Sequence, residues 1–172
     1  SIVPRLPEAH NGIGLTLLEH GKRDAAEASF RTALSLRPHY AEPYFNIGNI
    51  FLENGDLDQA MIHYSHALTI NPDFAQAHNN LGNALQKMMQ LKPAVACFDR
   101  AIALRPQYAE AYNNRGNTLL ELKTPSAALT SYDKAILINP DYAEAWSNRG
   151  NALIELGRPE DATKNYTRAI EL

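Results

Sequence analysis

Asparagine recurs where chemistry could be done: Asn46 and Asn49, then Asn79, Asn80 and Asn83, then Asn113, Asn114 and Asn117, then Asn148 and Asn151, in clusters spaced by 34 residues. A primary amide is no acid, base or nucleophile at neutral pH, but it offers two N–H donors and a carbonyl acceptor, the complement of a peptide backbone whatever its side chains. Such a set is suited to recognition rather than catalysis.

The other reactive residue types do not assemble into a site. His63 and His66 are three apart on one predicted helix and could share a metal, but no third ligand has suitable spacing, so two solvated histidines and no metal are expected. His10 and His78 take the position that Tyr44, Tyr112 and Trp146 fill elsewhere, which makes them packing residues. Arg115 and Arg149 replace an apolar residue and are expected to snorkel along a helix seam rather than hold an anion. Cys97, beside Phe98, reads as a small packing or surface residue, and the sequon Asn165-Tyr166-Thr167 lies within a predicted helix. There is no P-loop, G-x-S-x-G or H-E-x-x-H motif, so neither catalysis nor a cofactor is expected.

Composition narrows the partners. The 16 Lys and Arg against 19 Asp and Glu leave a net charge of −3, too weak a bias for nucleic acid or an anionic membrane surface. A single cysteine provides no disulfide framework and points to a reducing, cytoplasmic setting. No apolar run approaches the ~20 residues of a membrane span, and Ser1 to Leu6 lack the core of a signal peptide.

The elements that position the asparagines come from a repeat. Residues 7–40, 41–74, 75–108, 109–142 and 143–172 align as five copies of a 34-residue unit, the last one short, with residues 1–6 as the tail of a preceding one. Position 8 of each repeat is Gly (Gly14, Gly48, Gly82, Gly116, Gly150), positions 20 and 27 are always Ala, and position 24 is always Phe or Tyr. A helical glycine costs ~1 kcal/mol relative to alanine, so five in one register predict a close approach of two backbones, with the alanines as counterpart. Two helices per repeat follow from the punctuation. Helix A opens after proline with Asp141 to Glu144 as a capping box, and ends near a left-handed Gly21, Gly55 or Gly157, replaced by Met89 and Lys123 in two repeats. Helix B opens at Asp56, or at Thr124 before Pro125. The aromatic at position 34 (Tyr40, Phe74, Tyr108, Tyr142) precedes helix A and can pack into the seam between repeats.

Trp146, Gly150, Leu153, Ala162, Tyr166 and Ala169 follow the pattern W-x2-L-G-x2-Y, A-x3-F, A, and the other copies follow it equally. The chain thereby resembles the tetratricopeptide repeat (TPR) family. That resemblance implies an all-α fold, a right-handed solenoid of stacked antiparallel helix pairs, acting as a protein-interaction scaffold. A helical wheel puts positions 4, 7, 8 and 11 of helix A against helix B and positions 2, 5, 6, 9 and 13 on the face that lines the peptide groove in such proteins. Asn at positions 6 and 9 then forms a two-column ladder in four repeats, similar to that of O-GlcNAc transferase-type TPR arrays, as are the stretches 77–86 and 96–106. The amides either contact a ligand or hydrogen-bond the neighbouring repeat.

The same face carries eight Glu (8, 19, 42, 53, 110, 121, 144 and 155) and one Lys, so a neutral or basic peptide is expected and a clamp for free carboxylates is not. Ile2, Pro4 and Leu6 match positions 30, 32 and 34 of a preceding repeat, and the chain stops at position 30 without a polar capping helix, which reads as a fragment of a longer array. The alternatives are a substrate-presenting region of a TPR glycosyltransferase, or a self-assembling array. For the latter, the faces around Ala162, Tyr166 and Ala169 and around Ile13 and Leu17 are expected to lie uncovered and to stack weakly head to tail.

Overall fold

Proline, glycine and the aromatic at position 34 cut the chain into ten helices among the described residues, 6–172 of the computed structural model. In order they are α1 (Pro7–Glu19), α2 (Arg23–Leu36), α3 (Ala41–Glu53), α4 (Leu57–Ile70), α5 (Ala75–Lys87), α6 (Leu91–Leu104), α7 (Ala109–Glu121), α8 (Pro125–Ile138), α9 (Ala143–Glu155) and α10 (Pro159–Glu171). Odd-numbered helices are the predicted A helices and even-numbered ones the B helices. Ile2 and Pro4, assigned above to a preceding repeat, lie outside the described residues.

The turn from helix A to helix B needs one left-handed residue. Glycine supplies it at Gly21 (φ 70°), Gly55 (81°) and Gly157 (71°), whereas Met89 (59°) and Lys123 (60°) adopt it against their Cβ sterics. Asp56 caps α4 as expected, its carboxylate accepting the Gln59 N–H at 3.1 Å. Thr124 caps α8 by position only, since its hydroxyl donates back to the Leu119 carbonyl at 2.7 Å.

The capping box does not form. The N-cap of α9 is Tyr142, one residue after Asp141, and no side chain caps the helix. Asn139 takes up the turn instead: its Oδ1 accepts the Asp141 N–H at 3.3 Å, leaving the Asp141 side chain 79% exposed. Tyr40 and Tyr108 hold the same N-cap place before α3 and α7. The half-buried ring fixes the chain there, and the helix starts behind it.

The repeated glycine faces an aromatic ring rather than an alanine. A Cβ built on Gly48 would lie 2.7 Å from Tyr64 Cε1, on Gly116 2.5 Å from Tyr132 Cε1 and on Gly150 2.6 Å from Tyr166 Cε1, and on Gly14 it would collide with Phe30. Position 24 of helix B therefore lies across position 8 of helix A, and the glycine makes room for the ring face. The alanines at positions 20 and 27 do a different job: Ala26, Ala60, Ala94, Ala128 and Ala162 are fully buried, as are Ala33, Ala67, Ala101 and Ala135.

The described helices form two compact blocks, divided within α5 between Ala84 and Leu85. In the first, Ala26, Phe30, Ile47 and Ile50 form one core, packed by Leu17 and Leu34, and Ala41, Ala67 and Ala77 form another with Phe45 and Phe74. In the second, Leu119, Ala128, Tyr132 and Ala152 form the core. Two residues expected to be uncovered are not: Ala162 is fully buried and Leu17 packs on the first core, while Ile13 is exposed. The exposed apolar surface of α10 is centred on Ile170, at 84%.

Candidate functional site

The two asparagine columns behave differently because different neighbours reach them. At position 9, Asn49, Asn117 and Asn151 each accept a tyrosine hydroxyl through Oδ1 at 2.8 Å, from Tyr64, Tyr132 and Tyr166 of the paired helix B. Burial pushes the Tyr132 hydroxyl well above the usual tyrosine range, and the carboxylates of Glu121, Glu144 and Glu155 push it further. Burial likewise raises Tyr64, opposed by its neighbour Asn80. Each of the three hydroxyls donates, so the amide oxygens are occupied and the side-chain N–H groups of Asn49, Asn117 and Asn151 meet no acceptor among the described residues. No buried side-chain N or O lacks a partner, so those N–H groups reach solvent. Asn83 stands apart: the residue fifteen further along is Phe98, which has no hydroxyl to give.

Positions 5 and 6 join neighbouring repeats. In the first block Asn46 Nδ2 donates to Asn11 Oδ1 at 3.0 Å and Asn80 Nδ2 to Asn49 Oδ1 at 2.8 Å, while Asn79 Nδ2 donates within its own repeat to Asn80 Oδ1 at 3.2 Å. In the second, Asn148 Nδ2 donates to Asn113 Oδ1 at 3.1 Å and Asn113 Nδ2 to Glu144 Oε1 at 3.0 Å. Asn79 and Asn113 are fully buried and Asn46 nearly so, whereas Asn49, Asn80, Asn83, Asn114, Asn117 and Asn148 are half-buried and Asn151 is exposed. Of the ten asparagines, then, three brace the fold from inside and seven present surface.

Tyrosines at position 34 add to the same face in the second block. Burial raises Tyr108 and Tyr142 to about 12, helped in both by Glu110 and in Tyr142 by Glu144. A depression of about 270 Å³ opens beside Asn117, Asn148 and Asn151.

The arginines at position 7 stitch successive repeats. Arg115 Nε donates to Asp99 at 2.6 Å and its Nη1 to the Ser131 hydroxyl at 2.8 Å; Arg149 repeats this with Asp133 at 2.6 Å and Asn165 at 2.9 Å. Both arginine side chains are mostly buried, at 29% and 25% exposure, and their heads are held by ion pairs. The partners stand 16 residues before and 16 after each arginine, a spacing legible in the sequence but not singled out.

His63 is buried, not solvated. It packs on Phe51 at 5.2 Å between ring centroids, and its Nδ1–H donates to the Gln59 carbonyl at 2.8 Å. Burial lowers its pKa. His66 stacks on Tyr44 at 5.3 Å. His78 Nε2 and Trp146 Nε1 both reach a proline carbonyl, Pro72 at 2.9 Å and Pro140 at 2.8 Å, so these packing residues also tie down the turn before their helix. Burial raises the half-buried Cys97 thiol, which disfavours the reactive thiolate. Among the described residues no group of three His, Cys, Asp or Glu could hold a metal ion, and no helix is long and apolar enough to cross a membrane.

Comparison with known proteins agrees with this architecture. Models of the TPR repeat match residues 48–88 and 126–157, and tetratricopeptide repeat models match 75–108 and 143–172, 17–64, and 97–130. No curated protein sequence matches the chain. Among solved structures, MamA is 26% identical, covering 92% of this chain and 93% of its own with a TM-score of 0.83. PilF of Pseudomonas aeruginosa, 22% identical, covers 96% and 75% with a TM-score of 0.88. YrrB, a TPR protein with an unusual peptide-binding site, is 23% identical and covers 94% and 84% with a TM-score of 0.77. The latter two share the fold alone at that identity. With repeat models spanning residues 17–172 between them and ten helices in the expected order, the chain belongs to the tetratricopeptide repeat family, an all-α solenoid fold of antiparallel helix pairs.

Proposed function

We propose that this protein is an interaction scaffold that holds an extended peptide, neutral or basic, along the asparagine-bearing faces of its A helices, in repeats bounded at 7–40, 41–74, 75–108, 109–142 and 143–172. One observation carries the reading: Asn49, Asn117 and Asn151 have their oxygens taken by tyrosine hydroxyls, and the Nδ2 group of each reaches solvent without a protein acceptor. Backbone carbonyls of an extended chain are the acceptors that fit such donors without regard to sequence. The peptide-binding site reported for YrrB, a protein of the same fold, supports the class of ligand. The glutamates of this face favour neutral or basic partners over acidic ones.

A random twelve-residue peptide library displayed against the protein supplies ligands. Replacing Asn80, Asn83, Asn114 and Asn117 together with Ala should weaken the selected peptides by at least tenfold, roughly 1.4 kcal/mol, with the helical circular dichroism intact. Unchanged affinity would sink the reading. A second reading, head-to-tail self-association, is favoured by the apolar surface of Ala169 and Ile170 beside a depression lined by Ala143, Ser147 and Tyr166. Sedimentation over a concentration series decides it: affinity that survives the asparagine changes but falls with Ile170→Lys places the interaction there.

A further inference from the structure

Asparagine stands directly before glycine twice in the chain, at Asn11-Gly12 and at Asn54-Gly55. In such a pair the side-chain amide carbon is open to attack by the next backbone nitrogen, and glycine puts no Cβ in the way. The two copies sit in opposite surroundings. Asn11 lies inside α1, where the Gly12 N–H belongs to the helix ladder, and its Oδ1 is held by Asn46 Nδ2 at 3.0 Å. Asn54 follows the last residue of α3 and forms the turn into α4. Both Asn54 and Gly55 are exposed, and the Asn54 side chain has no hydrogen-bond partner among the described residues. The attacking nitrogen is restrained by a single bond, from the Gly55 N–H to the Leu52 carbonyl at 3.2 Å, and a Cβ built on Gly55 would meet nothing within 4 Å. The turn itself needs only the left-handed Gly55, at φ 81°; before the matching Gly21 and Gly157 stand His20 and Leu156, which carry no amide.

We propose that Asn54 is a deamidation site of the folded protein, converted through a cyclic imide with Gly55 to isoaspartate and aspartate. At ψ −6° the Asn54 backbone is still helical, and the imide needs the Gly55 nitrogen swung toward the side chain, so the reaction runs through opening of the turn. A fraying helix end opens at far lower free energy than a helix interior. Hydroxide removes the Gly55 amide proton, the nitrogen bonds to Asn54 Cγ, and the Cγ–Nδ2 bond breaks with proton uptake to release ammonia. Water then opens the imide. Cleavage of the bond from the Gly55 nitrogen to Cγ gives aspartate, and cleavage of its bond to the main-chain carbonyl carbon gives isoaspartate. Either product puts a carboxylate at the C-terminal end of α3, where the helix dipole opposes it, and isoaspartate also lengthens the main chain by a methylene, so the turn cannot close again as built.

The test holds the protein in mildly alkaline buffer, once folded and once in denaturing urea, and follows both asparagines by peptide mapping that separates isoaspartate from aspartate. In the folded protein Asn54 should be lost at least about tenfold faster than Asn11, the ratio set by opening a terminal turn rather than a helix interior. In urea both pairs are free and should be lost at like rates. The aged protein should melt at lower temperature than fresh protein, and aged Asn54→His, which carries the residue found before Gly21, should not. Equal loss of Asn54 and Asn11 from the folded protein overturns the proposal, as does an Asn54 that converts in urea and persists when folded. Aspartate formed at position 54 without isoaspartate overturns the imide route.

Discussion

The hydroxyl of Tyr132 donates to Oδ1 of Asn117 at 2.8 Å, joining helix B of a repeat to the solvent-facing column of its helix A across 15 residues of sequence. The same bond joins Tyr64 to Asn49 and Tyr166 to Asn151. In Tyr64 and Tyr132 a fully buried ring thus fixes the orientation of a half-buried amide on the other helix. Tyr132→Phe should fold, because Phe30 and Phe98 occupy the equivalent place in other repeats. It should cost about 1 kcal/mol in urea unfolding, the net worth of one partly buried hydrogen bond, and it should weaken peptide affinity in step by freeing the Asn117 amide to turn.

Glycine positions separate cleanly by what stands over them. A Cβ at Gly116 would lie 2.5 Å from the buried Tyr132 ring, and a Cβ at Gly12 has nothing within 4 Å. Gly12→Ala should therefore stabilise the protein by up to ~1 kcal/mol through helix propensity alone. Gly116→Ala should destabilise it by ~1 to 2 kcal/mol, overpacking outweighing that gain. Thermal melts of the two variants should move in opposite directions.

Met89 and Lys123 sit at φ 59° and 60° where the other repeats use glycine. Met89 is 70% exposed, so its side chain contributes little to packing. Met89→Gly should stabilise by about 0.5 to 1 kcal/mol, the relief of the left-handed conformation less the added backbone entropy of glycine. A loss of stability in denaturant titration would show that the backbone at that turn is not strained.

Much of this was legible in the sequence, because position 8, position 20, position 24 and position 27 repeat at a fixed spacing and each has one physical use. The ten helices and their turns follow from that register. The partner of the glycine was not legible: small next to small suggests backbone contact, and only the packed structure shows that the small residue faces the largest one, as Gly48 faces Tyr64. The capping box failed for a related reason, since Asp141 has cap chemistry but the ring of Tyr142 decides where the helix begins. In the candidate site, the columns at positions 6 and 9 were visible. Their division into braces and presented donors was not, because it depends on a hydroxyl that arrives from a different helix. The pairing of Leu15 with Phe30, against Asn with Tyr in three other repeats, is the trace it leaves in the sequence.

The buried His63 predicts an acid-side loss of stability. Burial holds its folded-state pKa below that of the unfolded chain, so the unfolded state binds the proton more readily. The stability it contributes is fully present above the unfolded-state value of about 6.5 and is lost as the pH falls through that value toward the lowered one. Melting temperature should therefore drop between pH 7.5 and 5. The drop should be smaller in His63→Phe, which keeps the aromatic packing on Phe51 and removes the titration; an identical slope in the two proteins would place the pH dependence elsewhere.

The central claim, that amides with tied-up oxygens present their N–H groups to a peptide backbone, is tested most directly by following the asparagine side-chain NH2 resonances while a peptide selected from the displayed library is titrated in. The account predicts that the signals of Asn49, Asn117 and Asn151 shift and saturate with the peptide, and that those of the fully buried Asn79 and Asn113 move least. Saturable binding that leaves these three amides unmoved, with shifts confined to the B helices or to the α10 surface around Ile170, would contradict it.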